Sequence, residues 1–206
     1  MSCEKVEALP QVVVYYASIP SGDYQLDLPT CERNEEILAC TNEQTKREKY
    51  FAWKLLLDAI EQNFGKNAKF ERQPTGKWTC DLCHFSISHS DGVVAVAIAQ
   101  SCVGVDVQKV ALPNTYKVVE RVFSQQEREI YHKIDDIVEK ACYFTRVWTQ
   151  KESTFKMLDL DNFLQSKPQN YTQFTMEKHV NLQNKDYYVA VACQPICNIK
   201  FVKTHV

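Results

Sequence analysis

Asp106 and Gln108 stand two residues apart in the run Val103-Gly104-Val105-Asp106-Val107-Gln108. In an extended strand alternate side chains share a face, so the acid and the amide point together while Val105 and Val107 can enter a core. Further along, Trp148, Glu152 and Lys156 recur at i,i+4 spacing and stack on one side of a helix. A strand carboxylate and a helix carboxylate can jointly ligate a hard divalent cation, which keeps waters beside one or two acids. Plainer arrangements use the same residues: Asp106 as a strand-end acid beside a base, and Glu152 paired with Lys156 across one turn. A second group, Lys46, Arg47 and Lys49, crowds the early turns of a helix, where positive charge opposes the dipole. A solvated face accounts for that cluster, and so does a bound anion.

The elements that must carry these residues follow from pattern. Val12-Val13-Val14-Tyr15-Tyr16-Ala17 reads as a strand. Phe51, Leu55, Leu56, Ala59 and Ile60 give the apolar face of a helix over 43–62. Phe85 to Ser90, a turn at Asp91-Gly92, the apolar run 93–99 and the stretch 103–108 predict three successive strands. Pro113 interrupts the chain, a short helix is expected over 115–122, and Ser124 with Glu127 fits a capping box. A longer helix covers 138–157, with Phe144, Val147, Trp148 and Phe155 toward its buried side, and 171–176 and 187–192 read as strands. Each half thus offers strands and a long helix, an α+β arrangement.

Composition narrows the classes. The chain of 206 residues is long enough for a core without staples, and its formal charge of -2 argues against a general nucleic-acid surface. No apolar stretch is long enough to span a bilayer, and the N-terminus lacks the basic-then-apolar order of a secretory signal, so a cytoplasmic location is the expectation. The nine cysteines are odd in number and irregular in spacing, which predicts reduced thiols rather than a disulfide scaffold. Cys80, Cys83 and His84 with Cys193 and Cys197 can be imagined as a zinc set, but the second spacing is wrong for a knuckle. There is no GxxxxGKS/T phosphate loop and no kinase signature.

Three segments taken in order carry a resemblance: Phe85-Ser86-Ile87-Ser88-His89-Ser90, Val103-Gly104-Val105-Asp106-Val107, and Trp148-Thr149-Gln150-Lys151-Glu152-Ser153-Thr154-Phe155-Lys156. Together they resemble the 4'-phosphopantetheinyl transferases, in the monomeric, two-lobed class typified by the surfactin synthetase activating enzyme. The similarity extends over about 41–156, with a weaker match in the final strands.

The resemblance implies two similarly folded α+β lobes in a pseudo-twofold arrangement, each a small antiparallel sheet packed with a long helix. On this chain the lobes would be 1–108 and 115–206, joined by a linker at 109–114. It implies transfer of phosphopantetheine from coenzyme A to a serine of an acyl, peptidyl or aryl carrier protein, as a holo-carrier synthase. Asp106 and Glu152 would bind Mg2+ with Gln108 beside them, and Glu152 would be the base. His89 would contact a CoA phosphate with help from Ser88, Lys156 the pyrophosphate, and Lys151 either phosphate or an outer acidic partner. Lys46, Arg47 and Lys49 are candidates for the ribose phosphate, and Lys77 for a further phosphate contact. Carrier docking would fall near 115–129.

Two departures stand out. Many relatives have an acid where this chain has Gln108, and glycines where it reads Met157-Leu158-Asp159-Leu160-Asp161-Asn162. A noncatalytic CoA- or carrier-binding module is therefore the alternative expectation.

Overall fold

Alternation of apolar residues on both faces of the same strands sets the layering. The computed structural model describes residues 11–26, 32–65, 68–74, 76–160, 175–194 and 197–206. Its elements run β1 (Gln11–Ser18), α1 (Glu32–Leu38), α2 (Glu43–Phe64), β2 (Phe70–Arg72), β3 (Trp78–Cys80), β4 (His84–Ser90), β5 (Val93–Ala99), β6 (Val103–Lys109), α3 (Tyr116–Val122), α4 (Gln125–Lys133), α5 (Ile137–Leu158), β7 (Thr175–Leu182), β8 (Lys185–Cys193) and β9 (Asn198–Lys203).

One sheet has the order β4-β5-β1-β9 and another β6-β8-β7, with β2 and β3 as a separate hairpin. On β1, Val13, Tyr15 and Ala17 face a core that includes Phe51, Leu55, Leu56 and Trp53 of α2. Val12, Val14 and Tyr16 face the second sheet, where they meet Val105, Val107, Val189 and Val191. Strand β5 is buried on both sides, which is why it reads as an unbroken apolar run. The order through the molecule is α2, first sheet, second sheet, α5. The α+β expectation holds, with a 22-residue helix on the outside of each sheet.

Two strands change partners relative to chain order. β6 closes the 1–108 stretch but pairs with β8 in the second sheet. β9 lies near the C-terminus but pairs with β1, in parallel, so the first sheet is not purely antiparallel. Each half therefore donates a strand to the other's sheet, and the site strand β6 is held from both sides.

The capping box at Ser124 forms as expected: its backbone N–H donates to Glu127 Oε2 at 2.6 Å and its hydroxyl accepts from the Glu127 N–H at 3.4 Å. α5 starts at Asp136, whose carboxylate accepts from the Val138 and Glu139 N–H groups, and ends at Asp159 in the left-handed region. The strand expected over 171–176 is seen only from Thr175, since 171–174 lie outside the described residues. The short α1, the β2–β3 hairpin and β9 were not anticipated. They are too short for a periodic signal, and α1 buries only Ile37.

Candidate functional site between β6 and α5

Strand β6 runs beside α5 at unusually close range. A Cβ on Gly104 would lie 1.9 Å from the Ser153 carbonyl oxygen and 2.5 Å from the Met157 nitrogen, so only glycine fits. That approach sets Asp106 against the acid and base of α5. Asp106 is fully buried. Its Oδ1 accepts from Lys156 Nζ at 2.8 Å and from Ser88 Oγ at 2.7 Å. Gln108 Nε2 lies 3.1 Å from Asp106 Oδ2 and 3.4 Å from Glu152 Oε2, so the two carboxylates converge on one point. Lys156 also donates to the Val105 carbonyl at 3.2 Å and stands 3.8 Å from Glu152 Oε1. The predicted stack on α5 is present, with Trp148 hydrogen-bonded to Glu152 one turn away.

The electrostatics of this cluster are strained. Burial, and then the neighbouring Asp106 charge, push the Glu152 pKa up to about 7, against the opposing pull of Lys156. Burial works against the Lys156 ammonium, yet the Asp106 and Glu152 charges outweigh it and hold its pKa above the usual value. Two hard oxygen donors converging with excess negative charge are what an oxygen-liganded divalent cation relieves, so the residues fit one. Among the described residues no third acid, histidine or cysteine completes that set, because the third position is the Gln108 amide.

A row of serines explains how β6 is held. β6 is an edge strand of its sheet, and an edge leaves outward N–H groups without ladder partners. Ser86, Ser88 and Ser90 of β4 accept from the N–H groups of Val105, Val107 and Lys109 at 3.0, 3.2 and 3.2 Å. Ser90 in turn reaches Gln108 Oε1 at 3.5 Å. Ser88 is buried, and its hydroxyl donates to Asp106 and accepts from the Val107 N–H, so it holds the acid against β6. The serines at i, i+2 and i+4 were a signal in the sequence, legible as one polar face of a strand.

The remaining basic residues separate by what they touch. Arg47 donates to the Pro20 and Gly22 carbonyls and lies over the Tyr24 ring, so it anchors the chain after β1. Lys46 pairs with Glu43 at 2.7 Å. Lys49 lies close enough to His89 to lower its proton affinity. Lys77 pairs with Asp159 at 2.9 Å, and both border a cavity of about 390 Å3 shared with Trp78, Phe85 and Lys156. On the other side of the acids, a cleft of about 420 Å3 is lined by Gln108, Glu152, Trp148, Phe144, Pro113 and Val118. Asp91 pairs with Lys109 at 2.8 Å and Lys185 at 3.0 Å, tying the β4–β5 turn to the second sheet.

Lys151 is buried and pairs with Glu127 Oε2 at 2.9 Å, fastening α4 to α5. Removing one member of a buried pair strands the other charge. Lys151→Met should therefore cost about 3 kcal/mol in urea unfolding. Pairing it with Glu127→Leu should recover part of that loss, and an unchanged midpoint in the single variant would refute the assignment.

The cysteines do not form one set. Cys83, with Cys80 packed against it, belongs to the core under α2, and Cys193 and Cys197 belong to the core between the sheets. Burial and the adjacent Cys80 push the Cys83 thiol up to about 12, which keeps it protonated.

Comparison with known proteins finds a family match over part of the chain. The 4'-phosphopantetheinyl transferase superfamily matches residues 102–194, from the start of β6 through β8. A 4'-phosphopantetheinyl transferase of Bacillus subtilis is 33% identical over 87 residues, covering 39% of this chain and 38% of the relative. The Bacillus subtilis 4'-phosphopantetheinyl transferase ffp is 37% identical over 106 residues, and 4'-phosphopantetheinyl transferase Sfp of strain 168 is 35% identical over 106 residues; each match covers 46% of both chains. The chain is thus aligned with less than half the length of these relatives. The matched segment is the one that brings both carboxylates to a single point, and over that segment the chain is similar to the 4'-phosphopantetheinyl transferase superfamily.

Proposed function

We propose that the protein transfers the 4'-phosphopantetheine group of coenzyme A to a serine hydroxyl of an apo acyl, peptidyl or aryl carrier protein. The observation that carries this reading is the convergence of Asp106 Oδ2 and Glu152 Oε2 on one point beside Lys156. The carrier's serine oxygen attacks the phosphorus that bears pantetheine. The bond to the bridging oxygen breaks, and adenosine 3',5'-bisphosphate leaves with the electron pair. Glu152, whose proton affinity lies near neutrality, is suited to take the serine proton. Lys156 places a positive charge where pyrophosphate charge must be neutralised. Magnesium, held by Asp106 and Glu152 with Gln108 at its border, would supply further neutralisation of that charge.

Lys49, Lys77 and His89 are the proposed remaining phosphate contacts, and the cleft beside Trp148 and Val118 is the proposed approach of the carrier serine. We take the working unit to be a two-lobed cytoplasmic monomer divided near 109–114. Among the described residues, no helix is long and apolar enough to cross a membrane. A noncatalytic binding module is the less favoured reading, because Asp106, Glu152 and Lys156 are all present and in contact.

Intact-mass analysis of an apo-carrier incubated with the protein, CoA and Mg2+ tests the proposal. A phosphopantetheine mass increase that needs the metal is expected. No increase across carriers of fatty-acid, polyketide and nonribosomal-peptide synthesis, with folded protein that binds CoA, would favour the binding module. Gln108→Glu should tighten the metal requirement, lowering the half-saturating Mg2+ concentration by roughly tenfold, since an added carboxylate replaces a neutral donor. Unchanged half-saturation and turnover would remove Gln108 from the metal's surroundings.

A further inference from the structure

Glu48 of α2 is a charged residue only 7% exposed, and the chemistry above does not use it. Burying a carboxylate costs several kcal/mol unless its oxygens are satisfied. Both are: Oε2 lies 2.8 Å from His89 Nδ1, and Oε1 accepts from the Gly92 N–H at 3.1 Å and from Gln44 Nε2 at 3.4 Å. An apolar residue would fill this helix position at lower cost, so the acid marks a requirement of its partner. That partner sits on β4, opposite Val94 of β5, with its side chain 31% exposed. Engagement of Nδ1 by Glu48 leaves Nε2, across the ring, as the atom available to a ligand. The charged groups acting on the ring are Glu48 and Lys49 from α2 and Lys156 from α5, the last being the lysine that holds Asp106.

We infer that Glu48 is a positioning residue for His89: it fixes the ring through Nδ1, aims Nε2 at the anion, and balances the imidazolium that grips a phosphate oxygen of CoA. This rests on the reading of CoA as substrate. A neutral ring with its proton on Nδ1 offers a lone pair at Nε2, which repels an anion. A protonated ring offers an N–H there, and the charge-assisted bond is the stronger kind. In the free protein, burial lowers the His89 pKa. Glu48 opposes this shift, while Lys156 and Lys49 add to it. The ring is accordingly mostly neutral at slightly alkaline pH. A bound phosphate reverses the influence of the two lysines, so CoA binding takes up a proton at His89.

The test is calorimetric titration of the whole protein with CoA at about pH 7.5, in buffers of different ionisation enthalpy. Wild type should show proton uptake. Glu48→Gln keeps an oxygen for Nδ1–H but loses the charge. It should bind CoA about tenfold more weakly, lose the uptake, and shift the fall of affinity with rising pH to the acid side. His89→Asn should weaken binding similarly, and adding Glu48→Gln to it should cost nothing more. Near-equal CoA affinity and unchanged proton uptake in Glu48→Gln would overturn the inference alone, as would additive losses in the double variant. Failure of the wild type to bind CoA would overturn the transferase reading, and this inference with it.

Discussion

Gly104→Ala should lower stability by about 3 kcal/mol and reduce the proposed phosphopantetheine transfer by roughly a hundredfold in whatever folds. The added methyl group would meet two backbone atoms of α5, the Ser153 carbonyl oxygen and the Met157 nitrogen, neither of which can rotate away. Relief requires β6 and α5 to separate. Asp106 rides on one and Glu152 and Lys156 on the other, so the separation opens the 2.8 Å Lys156–Asp106 contact and moves the two carboxylates off their common point. A misplacement of about 1 Å is enough to cost two orders of magnitude in rate. Urea unfolding gives the first quantity and the carrier mass assay the second. Wild-type values for both would mean that the close approach is not what positions the acids.

Glu152→Gln should lower the proposed transfer by about a thousandfold or more, while making the metal-free protein more stable at pH 8. The sign follows from the shift. The Glu152 pKa is raised from 4.5 to about 7, chiefly by burial and then by Asp106, so the folded state holds this proton more tightly than the unfolded chain. Its contribution is therefore most favourable below the unfolded value. Stability is lost as pH rises through the window between 4.5 and about 7. The amide has no charge to desolvate, so the variant should gain about 2 kcal/mol over wild type at pH 8, a gain that disappears near pH 4.5. Thermal unfolding in chelator at the two pH values measures it. A variant less stable than wild type at pH 8 would show that Glu152 is not under this strain, and retained transfer would remove it from the chemistry.

Local pattern carried much of this protein. The spacing of Asp106 with Gln108, and of Trp148, Glu152 and Lys156, places those residues on shared faces, because strand and helix periods are fixed by backbone geometry. The capping box at Ser124, both long helices and the apolar strands β1 and β5 were legible for the same reason. Lys46, Arg47 and Lys49 share a helix terminus, but Arg47 turns to the carbonyls of Pro20 and Gly22, a contact over long sequence separation.

What the sequence by itself determined was the chemistry available: two acids, an amide and a lysine on one strand and one helix, within the segment that the family model matches. Only the tertiary structure decided how they meet. It paired β6 with β8 and returned β9 to β1, since strand pairing depends on non-local hydrogen bonds that leave no local periodicity. It spent the Ser88 hydroxyl on the unpaired edge of β6, set Lys151 on Glu127, and buried Glu48 against His89. In each case a buried polar group had to find a partner, and which partner lay within reach was a property of packing rather than of sequence order.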